Sequence, residues 1–165
     1  MVMKKYINII IFLFAIQFFC KAGNVVTGTV LLNGEEIKAE YTLLETGASL
    51  GSGRNACISQ FSSGKVVVPE SIIVNGMPCP VVGVSDVAFR FCTHITSVEL
   101  PEGVERVGNF AFKGCRDLTK VTLPSTVETI GTGAFIDLPN LSDFFVKATT
   151  PPVWEYNDVF CFHEC

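Results

Sequence analysis

Apolar residues recur every 23 positions along the second half of the chain, and that period restricts the fold more than any other feature. Ile95, Leu118 and Leu141 stand 23 apart, as do Val98, Val121 and Phe144, and Leu100, Leu123 and Val146. Pro101 matches Pro124, Gly108 matches Gly131, and Ala111-Phe112 matches Ala134-Phe135. The register also runs backwards: Val81, Val84, Ala88-Phe89 and Cys92 precede Val104, Val107, Ala111-Phe112 and Cys115 by the same interval. The unit from Ile72 is therefore a first, atypical repeat. A unit this short cannot bury its apolar side alone, so stacked units must share one continuous core.

Each unit has a local reading. In the L-x-x-V-x-L stretch, side chains near the strand end alternate, so Val98 and Leu100 point inward. Pro101 and Pro124 follow at once and end the strand, lacking an N–H and fixing φ. Val104 and Val107, like Val127 and Ile130, return to the interior on a second extended stretch. Gly108 and Gly131 are expected to permit a sharp turn. Asn109 is expected to N-cap a short helical turn that carries Ala111, Phe112 and Cys115 inward. Cys92 and Cys115 share a column with Leu138, which favours buried thiols acting as small hydrophobes over a Cys92–Cys115 disulfide.

The sequence Val107-Gly108-Asn109-Phe110-Ala111-Phe112, then Cys115, Leu118, Val121, Leu123-Pro124 and Val127, resembles the 23-residue leucine-rich repeat of BspA-like surface proteins of anaerobic gut and oral bacteria. The likeness covers roughly Ile72 to Ala148. Gly64-Lys65-Val66-Val67-Val68-Pro69, with Asn75-Gly76 and Val81-Val82-Gly83-Val84, is similar to the hairpin that opens these solenoids. Ala148-Thr149-Thr150-Pro151-Pro152 is similar to the family's C-terminal segment, which a further cap strand generally follows. The resemblance implies a β-rich, right-handed leucine-rich-repeat solenoid with short helical turns on one side. It also implies an exported protein-binding module, some relatives being adhesins for host matrix proteins.

Ahead of the repeats, Val25 to Ile37 and Tyr41 to Ser59 alternate as β-strands do. Turns at Asn33-Gly34, Thr46-Gly47 and Gly51-Ser52-Gly53 punctuate them. This stretch is expected to form an N-terminal β-cap over the first repeat, since a bare solenoid end would aggregate. The first 22 residues belong to a different category. Lys4 and Lys5 precede an apolar run from Ile7 to Phe19, too short to span a bilayer, and Cys20-Lys21-Ala22 offers small residues for cleavage after about Ala22. An uncleaved anchor or a lipid on Cys20 are the alternatives. The expected division is 1–22 signal peptide, 23–71 β-cap, 72–147 repeats and 148–165 a C-terminal, incomplete cap.

Without Lys4, Lys5 and Lys21, nine basic side chains face sixteen acidic ones, a net charge of −7. That balance disfavours nucleic acid, whose phosphates want a basic face. Six cysteines remain: Cys57, Cys79, Cys92, Cys115, Cys161 and Cys165. Export permits disulfides, and the state of Cys57, Cys79, Cys161 and Cys165 stays open.

Catalytic and metal patterns fare poorly. Gly47-Ala48-Ser49-Leu50-Gly51 fits the G-x-S-x-G elbow, but its surroundings read as a glycine turn, and the only histidines are His94 and His163. Cys161-Phe162-His163-Glu164-Cys165 offers three ligand types, yet no second cluster completes a zinc site. Asn140-Leu141-Ser142 fits a glycosylation sequon at a core column. No enzyme, cofactor or metal is expected.

Between the inward columns lie outward ones. Ser97, Lys120 and Asp143 form one file, and Glu99, Thr122 and Phe145 the next. Strands about 4.8 Å apart would stack each file into a surface ladder. These residues, with Trp154, are the candidate binding face, and solvated surface is the bland alternative. Trp154 or Tyr156 could instead cover Phe145. The leading function is recognition of a host matrix or cell-surface protein by a secreted or bacterial surface module that touches the membrane only through its export signal. Surface glycan binding is the runner-up, and a non-functional fragment of a longer repeat protein the third reading.

Overall fold

A computed structural model describes residues 22–155 of the 165-residue chain. The expected signal peptide, apart from Ala22, and the expectations for Tyr156, Cys161, His163 and Cys165 lie outside the described residues. Twelve strands are formed there and no helix. They are β1 (Val25–Leu32), β2 (Glu35–Leu43), β3 (Ala48–Leu50), β4 (Gly64–Val67), β5 (Ser71–Val74) and β6 (Met77–Val84), then β7 (Ile95–Glu99), β8 (Arg106–Val107), β9 (Lys120–Leu123), β10 (Thr129–Ile130), β11 (Asp143–Val146) and β12 (Val153–Trp154).

Eleven of them form one continuous ribbon, in the order β11-β9-β7-β4-β1-β2-β3-β6-β8-β10-β12. Its two arms are parallel ladders. In one, β4, β7, β9 and β11 pair in sequence; in the other, β3, β6, β8, β10 and β12 do. The 23-residue period is the hydrogen-bond register itself: Ser97 faces Lys120 and then Asp143, and Val107 faces Ile130. The β1–β2 hairpin joins the arms, with β1 antiparallel to β4 and β2 antiparallel to β3. Its turn is Asn33-Gly34, both at positive φ (53° and 89°), the residue pair that a two-residue hairpin favours. Val30, Ala39 and Tyr41 on its inner side are buried. The Tyr41 hydroxyl donates to the Thr29 carbonyl at 2.8 Å, so its polar end is satisfied.

Between the arms lies the core. Phe89, Phe112 and Phe135 pile in one row, with centroids 5.0 and 5.2 Å apart and ring planes within 9° and 5° of parallel. Phe144 ends the row edge-on to Phe135 at 5.0 Å. The neighbouring columns Ala88, Ala111 and Ala134, and Cys92, Cys115 and Leu138, are buried throughout. The small alanines leave room for the rings to meet.

The corner holding these rings departs from expectation. Instead of a short helical turn there are successive hydrogen-bonded turns, such as Cys92 N–H to the Phe89 carbonyl and Cys115 N–H to the Phe112 carbonyl. Val87, Phe91, Phe110 and Asp137 adopt positive φ, which interrupts any right-handed helical run. Alternate N–H groups thereby turn sideways: Val87, Phe89 and Phe91 donate to Asn109, Ala111 and Lys113 of the next coil. Bonding between coils has replaced bonding along a helix.

Asn109 is accordingly no N-cap. Its N–H donates to Asp86 Oδ1 at 2.8 Å, and its own Oδ1 accepts from the N–H of Thr132 at 2.7 Å. Asp86, Asn109 and Thr132 are one 23-residue column, a side-chain ladder that satisfies backbone donors from coil to coil. Gly108 and Gly131 serve this ladder rather than a positive-φ turn. A Cβ on Gly131 would lie 2.6 Å from the Asn109 nitrogen, and one on Gly108 would collide with Asp86.

Candidate functional site

On the first arm, strand alternation sends Val98, Val121 and Leu123 inward, and an irregularity at Thr96 lets Ile95 turn inward too, while Glu99, Lys120, Asp143 and Phe145 are exposed and Ser97 and Thr122 half-buried. The parallel register brings the expected files together: Ser97, Lys120 and Asp143 lie in line, as do Glu99, Thr122 and Phe145. Phe145 keeps 51% of its surface open.

One member of this face was not legible from the period. Lys65 on β4 pairs in register with Ser97, 32 residues away instead of 23, because the β5–β6 hairpin is inserted between them. Val66-Val67-Val68-Pro69 repeats the pattern of Val98-Glu99-Leu100-Pro101 at that longer spacing, and this is the signal that locates it.

Charge on the face alternates. Lys65 Nζ lies 2.8 Å from Glu99 Oε2, both side chains being about half exposed. Such a pair contributes roughly 0–1 kcal/mol to stability and mainly fixes geometry. The Glu99 carboxyl is held below its ordinary pKa, first by the hydrogen bond from Lys65, then by that lysine's charge, with Lys147 and Lys120 adding. Lys147 also reaches Glu102 at 3.5 Å. Lys120 Nζ sits 5.5 Å from the Phe145 ring centroid, a cation–π arrangement worth about 0.5–1 kcal/mol at an exposed site. Lys65, Ser97, Glu99, Lys120 and Thr122 line a shallow depression of about 300 Å³ floored by Val98.

Trp154 does not join this face. It lies on β12, in register with Ile130 on the opposite arm, and packs half-buried against the core. It therefore neither extends the candidate face nor covers Phe145.

The remaining chemistry-bearing residues are occupied structurally. Gly47 to Gly51 is strand β3 and its flanks rather than a turn, and Ser49, 7% exposed, accepts a hydrogen bond from Ser85 Oγ at 2.8 Å. His94 Nδ1 is 3.1 Å from Asp117 Oδ2. Cys57, Cys92 and Cys115 are buried free thiols. Burial pushes the Cys92 pKa up to about 12 and raises those of Cys57 and Cys115 as well. Cys115 Sγ is 3.0 Å from the Phe89 carbonyl, consistent with a protonated donor. Among the described residues no group of three or more His, Cys, Asp or Glu is placed to hold a metal ion.

Residues 77–165, more than half of the chain, match the family model of the BspA type leucine-rich repeat region. The chain belongs to that family. Three solved structures share the fold of this BspA-type chain. A leucine-rich repeat protein of T. pallidum is 27% identical with a TM-score of 0.54, covering 69% of this chain and 47% of its own. A leucine-rich cell surface protein of Faecalibacterium prausnitzii A2-165 is 24% identical with a TM-score of 0.56, covering 66% and 30%. A leucine-rich repeat protein of Bacteroides ovatus ATCC 8483 is 21% identical with a TM-score of 0.55, covering 63% and 27%. The BspA-type chain thus spans less than half the length of each. No curated protein matches it.

Proposed function

We propose that this BspA-type chain is a bacterial surface or secreted recognition module that binds a protein partner through the first arm's outer face. The carrying observation is the convergence of Lys65, Ser97, Glu99, Lys120, Thr122, Asp143 and Phe145 on one exposed ladder, with a single open ring beneath a lysine. Alternating charges around an aromatic anchor suit a protein surface, where the ring supplies apolar area and the rim charges set register. A lone ring offers little to a glycan on this face. A solved relative described as a cell surface protein supports the location.

Cleavage after about Ala22 would leave the β1–β2 hairpin as the stack's cap, within a 23–71 cap region followed by repeats over 72–147 and a C-terminal segment over 148–165. The partner class is a host matrix or cell-surface protein. Surface plasmon resonance of the purified chain against a panel of matrix proteins tests the reading. At least one should bind, with Phe145→Ala and Lys120→Glu each weakening it tenfold or more and Ile73→Ser on the distant β5–β6 hairpin leaving it intact. Binding indifferent to both face variants would refute the assignment.

A further inference from the structure

A second cleft, of about 980 Å³, opens at the corner where the coils enter β7, β9 and β11. Its size falls within the range of small-ligand sites. Phe61, Phe91, Thr93, His94, Arg116 and Asp137 are among its lining residues. Phe61 is 87% exposed, an unusual position for a phenylalanine, and yet its turn is fixed. The Phe61 N–H donates to Ser59 Oγ at 3.3 Å, and the Ser62 N–H to the Ser59 carbonyl at 2.9 Å. The backbone beneath the ring is held, and the ring itself projects into solvent as a platform.

The cleft's charges are unevenly neutralised. His94 is engaged by Asp117 at 3.1 Å, and Asp137 by Lys113 at 3.8 Å. Arg116 has no acidic partner among the described residues. An open guanidinium in a cleft that two phenyl rings, Phe61 and Phe91, also line suits a ligand with a carboxylate and an apolar face.

A peptide strand is a poor occupant. The backbone N–H groups of Phe91 and Gly114 are already bonded to Lys113 and Ile136 of the following coil, so no free edge invites strand addition. Of the two aliphatic residues in the wall, Leu138 is only 7% exposed, which leaves Pro139 as the open aliphatic surface for an apolar anchor. A sugar ring fits better, because it lays a C–H face on a phenyl ring while its hydroxyls reach Thr93, His94 and Asp137. We infer that this cleft binds an acidic saccharide, its sugar ring stacked on Phe61 and its carboxylate paired with Arg116.

The site is separate from the sheet face, so either assignment can fail without the other. Calorimetric titration of the purified chain with a hexasaccharide of alternating glucuronate and N-acetylglucosamine tests it, beside the same hexasaccharide with its carboxylates reduced to alcohols. The acidic probe should bind, the reduced probe at least tenfold more weakly. Phe61→Ala and Arg116→Ala should each lower affinity for the acidic probe tenfold or more with unchanged thermal melting, and Arg116→Lys should recover part of the loss. No binding of the acidic probe, equal affinity for the two probes, or binding untouched by the Phe61 and Arg116 variants overturns the inference.

Discussion

Asn109 takes the N–H of Thr132 from the next coil at 2.7 Å while giving its own N–H to Asp86 of the previous one at 2.8 Å. A single residue thus links three coils. Asn109→Ala leaves the half-buried Thr132 donor without its acceptor and should cost about 1–2 kcal/mol in urea unfolding. Asn109→Asp keeps the acceptor but turns the 3.3 Å contact from Nδ2 to Asp86 Oδ2 into a carboxylate pair. Its loss should therefore be larger in 10 mM salt than in 500 mM, where the like charges are screened. Equal losses at the two salt concentrations would disprove that account of the column.

Phe112 is the middle ring of the row, fully buried with a parallel neighbour on each side. Phe112→Ala should cost about 3–5 kcal/mol, the range for emptying a packed aromatic site. Phe135→Ala should cost less, because that ring is 9% exposed and its outer neighbour Phe144 is only half-buried. A repeat stack transmits stability through its interfaces, so the Phe112 variant should also uncouple the ends and lower the urea m-value. Similar losses at the two positions, with unchanged m, would argue against a row that conveys cooperativity.

The columns were legible because period and burial are the same fact: a residue buried against its copies must recur at the coil length. Phe89, Phe112 and Phe135, and the outward files of Lys120 and Phe145, follow from that alone. Lys65 escaped because an inserted hairpin lengthens its coil to 32 residues, though the Val-x-Val-Pro signature survives. Trp154 was misplaced because it pairs with Ile130 at a spacing of 24, a one-residue slip between Val146 and Val153 that no column anticipates. The role of Asn109 was misread because an asparagine before an apolar turn looks the same as an N-cap and as a ladder rung. Only the Asp86 and Thr132 equivalents distinguish them. The corner cleft has no sequence signal, since Phe61, Phe91 and Arg116 occupy different repeat positions and meet only through the loop ahead of β4.

The buried thiols make stability fall at alkaline pH. Cys92 titrates near 12 in the fold against an ordinary 9.0, and burial raises Cys57 and Cys115 too. Between those values the unfolded chain has released thiol protons that the native chain retains, so rising pH favours unfolding. Their contribution is constant below about pH 9 and declines from there towards 12. In the native chain Cys57, Cys92 and Cys115 should also resist iodoacetamide at pH 8 until denaturant is added, as read residue by residue in a peptide map. Tyr41, likewise raised by burial from an ordinary 10.0, adds a decline that begins about one pH unit higher and overlaps this one, so the comparison needs a variant. Cys92→Ala should show a shallower fall in melting temperature between pH 9 and 11. Identical slopes for the variant and the parent chain would rule out a thiol contribution.

Phe145 and Trp154 lie on opposite arms of the ribbon, and their truncations should differ in kind. Phe145 is half open on the outer face with Lys120 above its ring, so Phe145→Ala should change stability by no more than about 0.5 kcal/mol. Trp154 packs on the core and its backbone continues the second ladder, so Trp154→Ala should cost about 2 kcal/mol and loosen the last coil first. Hydrogen exchange reads the difference directly. The N–H of Glu155, bonded to the Ile130 carbonyl, should lose protection in the tryptophan variant and keep it in the phenylalanine one. Should Phe145→Ala instead expose the β9–β11 ladder to exchange, the ring would be supporting the fold, and the recognition face would lose its anchor.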